Sequence, residues 1–294
     1  MSKYPNSIRI VEVGPRDGLQ SIPSIIGTED KIHFVNLLSE AGLSEIEVAS
    51  FVSPKWVPQM ADGAEVFGKI KRRRTTIYTA LIPNLRGLHS AIDDGFQSVA
   101  VMAAASETFS QKNMNCSVND SFERLKQMKP VWTEYDLRVR GYISTSWYCP
   151  YEGYVDPEAV LLAVEHLFAR GIDELSLGDT IGRAEPDDVR RLLDILLKRW
   201  DVNDFALHFH DTNGQALENI KVGLEYGIRV YDASVSGIGG CPYAPGALGN
   251  VSTEAIVNLC DELHIKHYLK TDRLYAAGEF INSVLAKTNA EVNI

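Results

Sequence analysis

The sequence is poor in cysteine, in surplus positive charge and in long apolar runs, and each shortage removes a class of function. Four cysteines occur in 294 residues (Cys116, Cys149, Cys241 and Cys260), and no two form a C-x-x-C pair. That pattern argues against a zinc ribbon or a disulfide framework and fits a reducing compartment. The formal net charge of −10 disfavours non-specific binding to nucleic acid or to an anionic membrane. No stretch approaches the roughly 18 apolar residues that a membrane-spanning helix needs. The opening Met1-Ser2-Lys3-Tyr4-Pro5-Asn6 has neither a signal-peptide apolar region nor an Arg-rich transit pattern. The final Glu291-Val292-Asn293-Ile294 is no peroxisomal tripeptide. A cytoplasmic location is the expectation.

A Gly-rich phosphate turn is also missing. Short β-rich runs over 8–13, 45–50, 75–81, 98–104, 138–144, 174–178, 205–210 and 231–237 alternate with helical patterns such as 28–40, 156–169, 186–199 and 214–226. Gly42, Gly95, Gly171 and Gly227 each follow a helical pattern and precede a strand, where a helix-terminating glycine belongs. The first strand leads into Gly14-Pro15-Arg16-Asp17-Gly18, which is not the fingerprint of a doubly wound dinucleotide fold. Repeated β-α units predict an α/β TIM (β/α)8 barrel. One catalytic domain is expected over 1–294, with an active-site loop at 238–250 and extra C-terminal helices from about 251, at 253–264 and 271–287.

In such a barrel the chemistry sits at the C-terminal ends of the strands. Polar residues gather there: Arg16, Asp17 and Gln20 after strand one, Glu47 on strand two, Tyr142 on strand five, Asp179-Thr180 after strand six. Strand seven ends in His208-Phe209-His210-Asp211, and the loop after strand eight holds Gly239-Gly240-Cys241 and Asn250. Two imidazoles at i and i+2 of a strand share a face and can chelate one cation. Asp17, His208, His210 and Asn250 together offer a carboxylate, two imidazoles and an amide oxygen. That set suits Mg²⁺ or Mn²⁺ better than structural zinc.

Five motifs in register resemble the 3-hydroxy-3-methylglutaryl-CoA lyase family. They are Gly14-Pro15-Arg16-Asp17-Gly18-Leu19-Gln20, the run from Ser50 to Met60, Ser176-Leu177-Gly178-Asp179-Thr180, His208-Phe209-His210-Asp211-Thr212 and Gly239-Gly240-Cys241-Pro242-Tyr243-Ala244. The family lies in a TIM-barrel metallolyase superfamily with isopropylmalate and homocitrate synthases. The resemblance implies metal-dependent cleavage of 3-hydroxy-3-methylglutaryl-CoA to acetoacetate and acetyl-CoA, as in leucine degradation. It implies an acyl-CoA substrate and a homodimer, with no nucleic-acid or membrane partner. Arg16 would face the thioester oxygen, and Cys241 would return the proton. Asp17 or a metal-bound water would be the base. Glu47 and Asp179 would position Arg16 and the metal shell. Gln20, Asn113, Tyr142 and Thr180 are substrate contacts carried over from the family pattern.

The sequence departs from that pattern at Trp147-Tyr148, Asn213 and Leu248. Two aromatics after strand five are expected to line or cover the acyl pocket, which favours as runner-up a lyase for another 3-hydroxyacyl-CoA. A Claisen-condensing synthase would want Glu where Leu19 stands, and a biotin-dependent carboxyltransferase would want a metal-binding lysine that the pattern does not place. A non-catalytic metal-binding scaffold would not need the full set of acid, base and Arg. The run Lys71-Arg72-Arg73-Arg74 precedes strand three and is read as a solvated helix end at the opposite barrel face.

Overall fold

The computed structural model describes residues 3–239 and 249–292. Eight parallel strands close into a barrel: β1 (Arg9–Glu12), β2 (Glu45–Ser50), β3 (Ile77–Leu81), β4 (Ser98–Ala104), β5 (Arg138–Ser144), β6 (Glu174–Asp179), β7 (Phe205–Phe209) and β8 (Val230–Ala233). Each strand pairs with its neighbours in sequence, and β8 returns to β1 through Arg9↔Val230 and Glu12↔Ala233. Helices cover the outside, among them α1 (Thr28–Ala41), α2 (Gly63–Lys69), α3 (Leu85–Asp93), α4 (Glu107–Met114), α5 (Val118–Glu134), α6 (Pro157–Phe168), α7 (Pro186–Leu196) and α8 (Ala216–Tyr226). Two more, α9 (Thr253–Glu262) and α10 (Thr271–Val292), follow the eighth strand as the sequence led one to expect.

The helix boundaries obey local chemistry. Asp156 accepts the Glu158 N–H at 3.0 Å and Pro157 opens α6 with a φ already suited to helix. Gly42 and Gly227 end α1 and α8 in the left-handed region, at φ 95° and 90°. One boundary departs from expectation. The last strand stops at Ala233, and Val235–Gly237 forms a 3₁₀ turn instead of continuing it. This turn re-aims the chain across the barrel mouth.

The alternation of strand side chains divides the core in two. Outward residues such as Val139, Ile143, Leu175, Leu177, Leu207 and Phe209 join the main apolar cluster under the helices. Inward residues are different. Small apolar groups (Val11, Val13, Ala206 and Val230; Leu81, Ala100 and Tyr142) share the barrel interior with charges. At the N-terminal end Arg9 bonds both Glu45 and Glu174. Arg138 also reaches Glu45 at 2.7 Å and Glu174 at 3.3 Å. Burial alone would raise the Glu174 carboxyl, but Arg140 and Arg9 outweigh it and hold it below its ordinary range.

Glu12 has the outward parity on β1 and lies fully buried between barrel and helices. Its carboxylate accepts the Gly14 N–H at 3.0 Å, the Val235 N–H at 2.9 Å and the Thr253 hydroxyl at 2.7 Å. It thus ties the turn after β1, the turn after β8 and the start of α9 together. Burial, against these three donors, pushes its carboxyl up from 4.5 to about 8. The unfolded chain releases this proton near the ordinary 4.5 while the folded chain keeps it. Its contribution to stability is therefore complete below about 4.5 and is lost as the pH rises toward about 8. Glu12→Gln should flatten that part of the melting-temperature profile. An unchanged slope between the two values would mean that Glu12 is ionised in the fold.

Candidate active site

The turn after β1, Gly14–Gly18, is a single wide helical turn with Pro15 near its start. It carries Arg16 and Asp17 over the barrel mouth. Arg16 is buried, and its Nε and Nη2 donate to the two oxygens of Glu47 at 2.8 and 3.2 Å. Its Nη1 donates to Asp17 Oδ1 at 2.7 Å. Burial opposes the guanidinium charge, but Glu47 and Asp17 more than offset it, so Arg16 stays charged at any working pH. Asp17 Oδ1 also accepts from Gln20 Nε2 at 2.8 Å, and Oδ2 accepts from Asn250 Nδ2 at 2.9 Å. Burial would raise the Asp17 carboxyl, yet Arg16 and the two histidines hold it near 2.

His208 and His210 leave the end of β7 on one face, with ring centroids 5.3 Å apart. Asn250 reaches them from 40 residues further on because the chain there pairs with the end of β7. The Asp211 N–H bonds Gly249 O at 2.7 Å, and the Val251 N–H bonds Phe209 O at 3.0 Å. Gly239 sits at φ +107°, where a Cβ would come within 2.9 Å of both Asn250 Nδ2 and Gly18 Cα. Only glycine fits there.

Asp17, His208 and His210 place one ligand atom each within 4.8 Å of one another. Two buried atoms beside them, His210 Nδ1 and Asn250 Oδ1, have no hydrogen-bond partner among the described residues. Orphaned buried acceptors are costly unless something meets them. His208 Nδ1 lies 3.2 Å from Asp232 Oδ2, which accepts its proton; burial opposes the charged ring, but Asp232 and Asp17 outweigh it and raise His208 above its ordinary range, so a cation at Nε2 would displace a proton. Burial and the neighbouring His208 lower His210 to about 4, so its ring is neutral near pH 7 and can ligate. The donor set therefore fits a divalent cation.

The remaining expected residues divide. Tyr142 is buried and donates to Glu47 Oε2 at 2.6 Å. Thr180 Oγ1 accepts the Thr145 N–H at 2.8 Å. Asp179 does not reach Arg16. It closes β6 on the outward parity, and its oxygens accept the Arg183 and Ala184 N–H groups at 3.1 and 3.0 Å. Burial raises it to about 6 despite those bonds. Asn113 lies exposed on α4, with no hydrogen bond tying it to the cluster among the described residues. Cys241 and Leu248 fall outside the described residues.

Trp147 and Tyr148 correct an expectation. Trp147 is buried behind the barrel wall, stacked on the outward ring of Phe209 at 5.4 Å, with its indole N–H 3.3 Å from Asp188 O. The Tyr148 hydroxyl meets Asp188 Oδ2 at 3.3 Å and Arg183 lies 4.8 Å over its ring. These aromatics fasten the short hairpin of Tyr148–Cys149 and Gly153–Tyr154 to α7 and do not line the mouth. Trp147→Ala should cost about 3–5 kcal/mol in urea unfolding. The preference between short- and long-branched acyl-CoAs should stay constant; a shifted preference would put the ring back at the pocket.

Two inward residues given no role from the sequence, Arg140 and Asp232, complete the site, together with Ser176 of the strand-six motif. Asp232 accepts from Arg140 Nη2 at 2.6 Å and from Ser176 Oγ at 2.7 Å as well as from His208. Arg140, Ser176, Asp232 and the outward Glu12 are each buried. Arg140 shares a strand face with Tyr142 two residues on, and that spacing was the available signal.

The sequence profile of the HMGL-like family matches residues 7–281. The hydroxymethylglutaryl-CoA lyase of Bacillus subtilis is 47% identical, with 97% of this chain and 95% of the relative covered. A 3-hydroxy-3-isohexenylglutaryl-CoA/hydroxy-methylglutaryl-CoA lyase of Pseudomonas aeruginosa is 50% identical over the same shares, 97% and 95%. A crystal structure of hydroxymethylglutaryl-CoA lyase from Pseudomonas aeruginosa superposes with a TM-score of 0.94 at 49% identity, covering 96% of this chain and 94% of that one. The chain belongs to the HMGL-like family.

Proposed function

We propose that this protein is a carbon–carbon lyase that cleaves 3-hydroxy-3-methylglutaryl-CoA to acetoacetate and acetyl-CoA, with Mg²⁺ or Mn²⁺ held by Asp17, His208, His210 and Asn250. The observation that carries the reading is the pair of lone-pair atoms without a partner among the described residues, His210 Nδ1 and Asn250 Oδ1, beside a buried, permanently charged Arg16. A divalent cation held there would supply positive charge to the oxygen that becomes charged as the bond breaks.

The chain's own groups account for the rest. Breaking the C2–C3 bond turns the C3 hydroxyl into a ketone and leaves an enolate on the thioester half. Arg16, fixed by both oxygens of Glu47, faces the developing enolate oxygen with a charge that needs no reorientation. Asp17 is an anion at working pH that ligates and orients, and the C3 hydroxyl proton leaves to its carboxylate or to a water that the cation would hold. Gln20 and Asn250 spend N–H groups on fixing Asp17. Tyr142 braces Glu47. Cys241 returns a proton to C2, since a thiol of reference pKa ~8.5 is mostly protonated near neutrality. The same proposal includes a homodimer, tested by light scattering.

Release of acetyl-CoA from a panel of 3-hydroxyacyl-CoAs, with each metal added to chelator-treated protein, tests the reaction. No turnover of any member would sink it. The relative named for both isohexenylglutaryl and methylglutaryl substrates favours a second reading, a lyase that prefers a longer branch. A higher kcat/KM for the long-branched member decides for it.

A further inference from the structure

Arg140 belongs to no expected substrate or metal contact, yet it is fully buried inside the barrel and each of its three guanidinium nitrogens donates a hydrogen bond. Nε donates to Glu174 Oε1 at 2.7 Å, Nη1 to the Tyr142 hydroxyl at 2.7 Å and Nη2 to Asp232 Oδ1 at 2.6 Å. The last two contacts lead to opposite halves of the mouth. Tyr142 donates onward to Glu47 at 2.6 Å, and Glu47 grips Arg16 at 2.8 Å. Asp232 grips the Nδ1 side of His208 at 3.2 Å. Tyr142 is also flanked by two cations, Arg140 at 4.9 Å and Arg16 at 5.8 Å from its ring.

We infer that Arg140 is a positioning residue that sets the enolate-facing Arg16 and the metal ligand His208 relative to one another. A planar fork serves this where an ammonium does not, because its N–H directions are fixed relative to one another. Glu174 anchors the fork from below and is itself held by Arg9 and Arg138, so the reference point is the closed end of the barrel. A shift of Arg140 therefore moves both arms together. The kinetic half of this inference rests on the lyase reading. The metal half does not, because it concerns the substrate-free protein.

The test uses Arg140→Lys in the full chain, with Mn²⁺ affinity of the substrate-free protein by calorimetry and kcat and KM measured separately at saturating metal. Losing an orienting partner behind a ligand typically weakens metal binding 10–100-fold. Arg140→Lys keeps Asp232, the group that touches His208, but releases it, so metal binding should weaken by about 10-fold, the lower end of that range, and kcat should fall by about 10-fold or more with KM little changed. A folded Arg140→Lys with either quantity at the parent level overturns the coupling. Loss of metal affinity in a protein that has no lyase activity at all would uphold the metal half and fail the function instead. If Arg140→Lys does not fold, a cycle between Tyr142→Phe and Asp232→Asn decides, read on Mn²⁺ affinity. Because the two arms meet at Arg140, the double variant should depart from the product of the single effects by at least about threefold. Multiplicative effects would overturn the proposal.

Discussion

Metal affinity should fall by more than 100-fold when His208 or His210 is replaced by alanine, and turnover should collapse with it. Loss of a partner behind a ligand already costs about 10–100-fold, so loss of the ligand itself should exceed that range. Calorimetric titration of the chelator-treated protein with Mn²⁺ measures the first effect and acetyl-CoA release the second. The two variants should differ when no metal is present. His208 donates to Asp232, so His208→Ala strips a buried carboxylate of one donor. His210 Nδ1 has no partner to lose. Metal-free His208→Ala should therefore melt lower than metal-free His210→Ala. A variant with parental metal affinity and activity would remove that histidine from the ligand set.

Arg16→Lys should lower kcat by about 10²–10³-fold, the usual cost of one lost donor to a developing oxyanion, while KM moves little. The charge stays, but the fork that spans both Glu47 oxygens goes. Enolate charge exists only along the reaction, so the loss belongs to kcat. A KM that rises while kcat holds would make Arg16 a substrate-binding residue.

The barrel itself was legible in the sequence because apolar runs alternate with helices that end on glycine, and Gly42, Gly95, Gly171 and Gly227 do stand in the left-handed region. The mouth cluster of Arg16, Asp17, Glu47, His208, His210 and Asn250 was legible from strand ends. Two things were not. Asp179 closes its strand beside the motif that drew attention to it, but parity turns it away from Arg16 toward the next turn's N–H groups. Trp147 follows a strand whose end faces the mouth, yet the chain passes behind the wall before the ring is placed. Position along the chain gives the height of a residue on the barrel; the side of the wall it occupies depends on pairing partners. Arg140 and Asp232 were missed for the converse reason, because a buried charge is tolerated only by virtue of charged partners 24 to 92 residues away.

The stems on either side of residues 240–248 are held by contacts among described residues. On one side Gly239 is wedged against Gly18 and Asn250; on the other, residues 249–251 pair with the end of β7. These two fixed junctions allow an exchange experiment. A chimaera that takes these nine positions from the Pseudomonas relative, and keeps Gly239 and Asn250, joins two junctions whose geometry the recipient already dictates. Such grafts let the donor's segment be compared on an unchanged scaffold, with melting temperature reporting the scaffold and the ratio of rates on short- and long-branched thioesters reporting the graft.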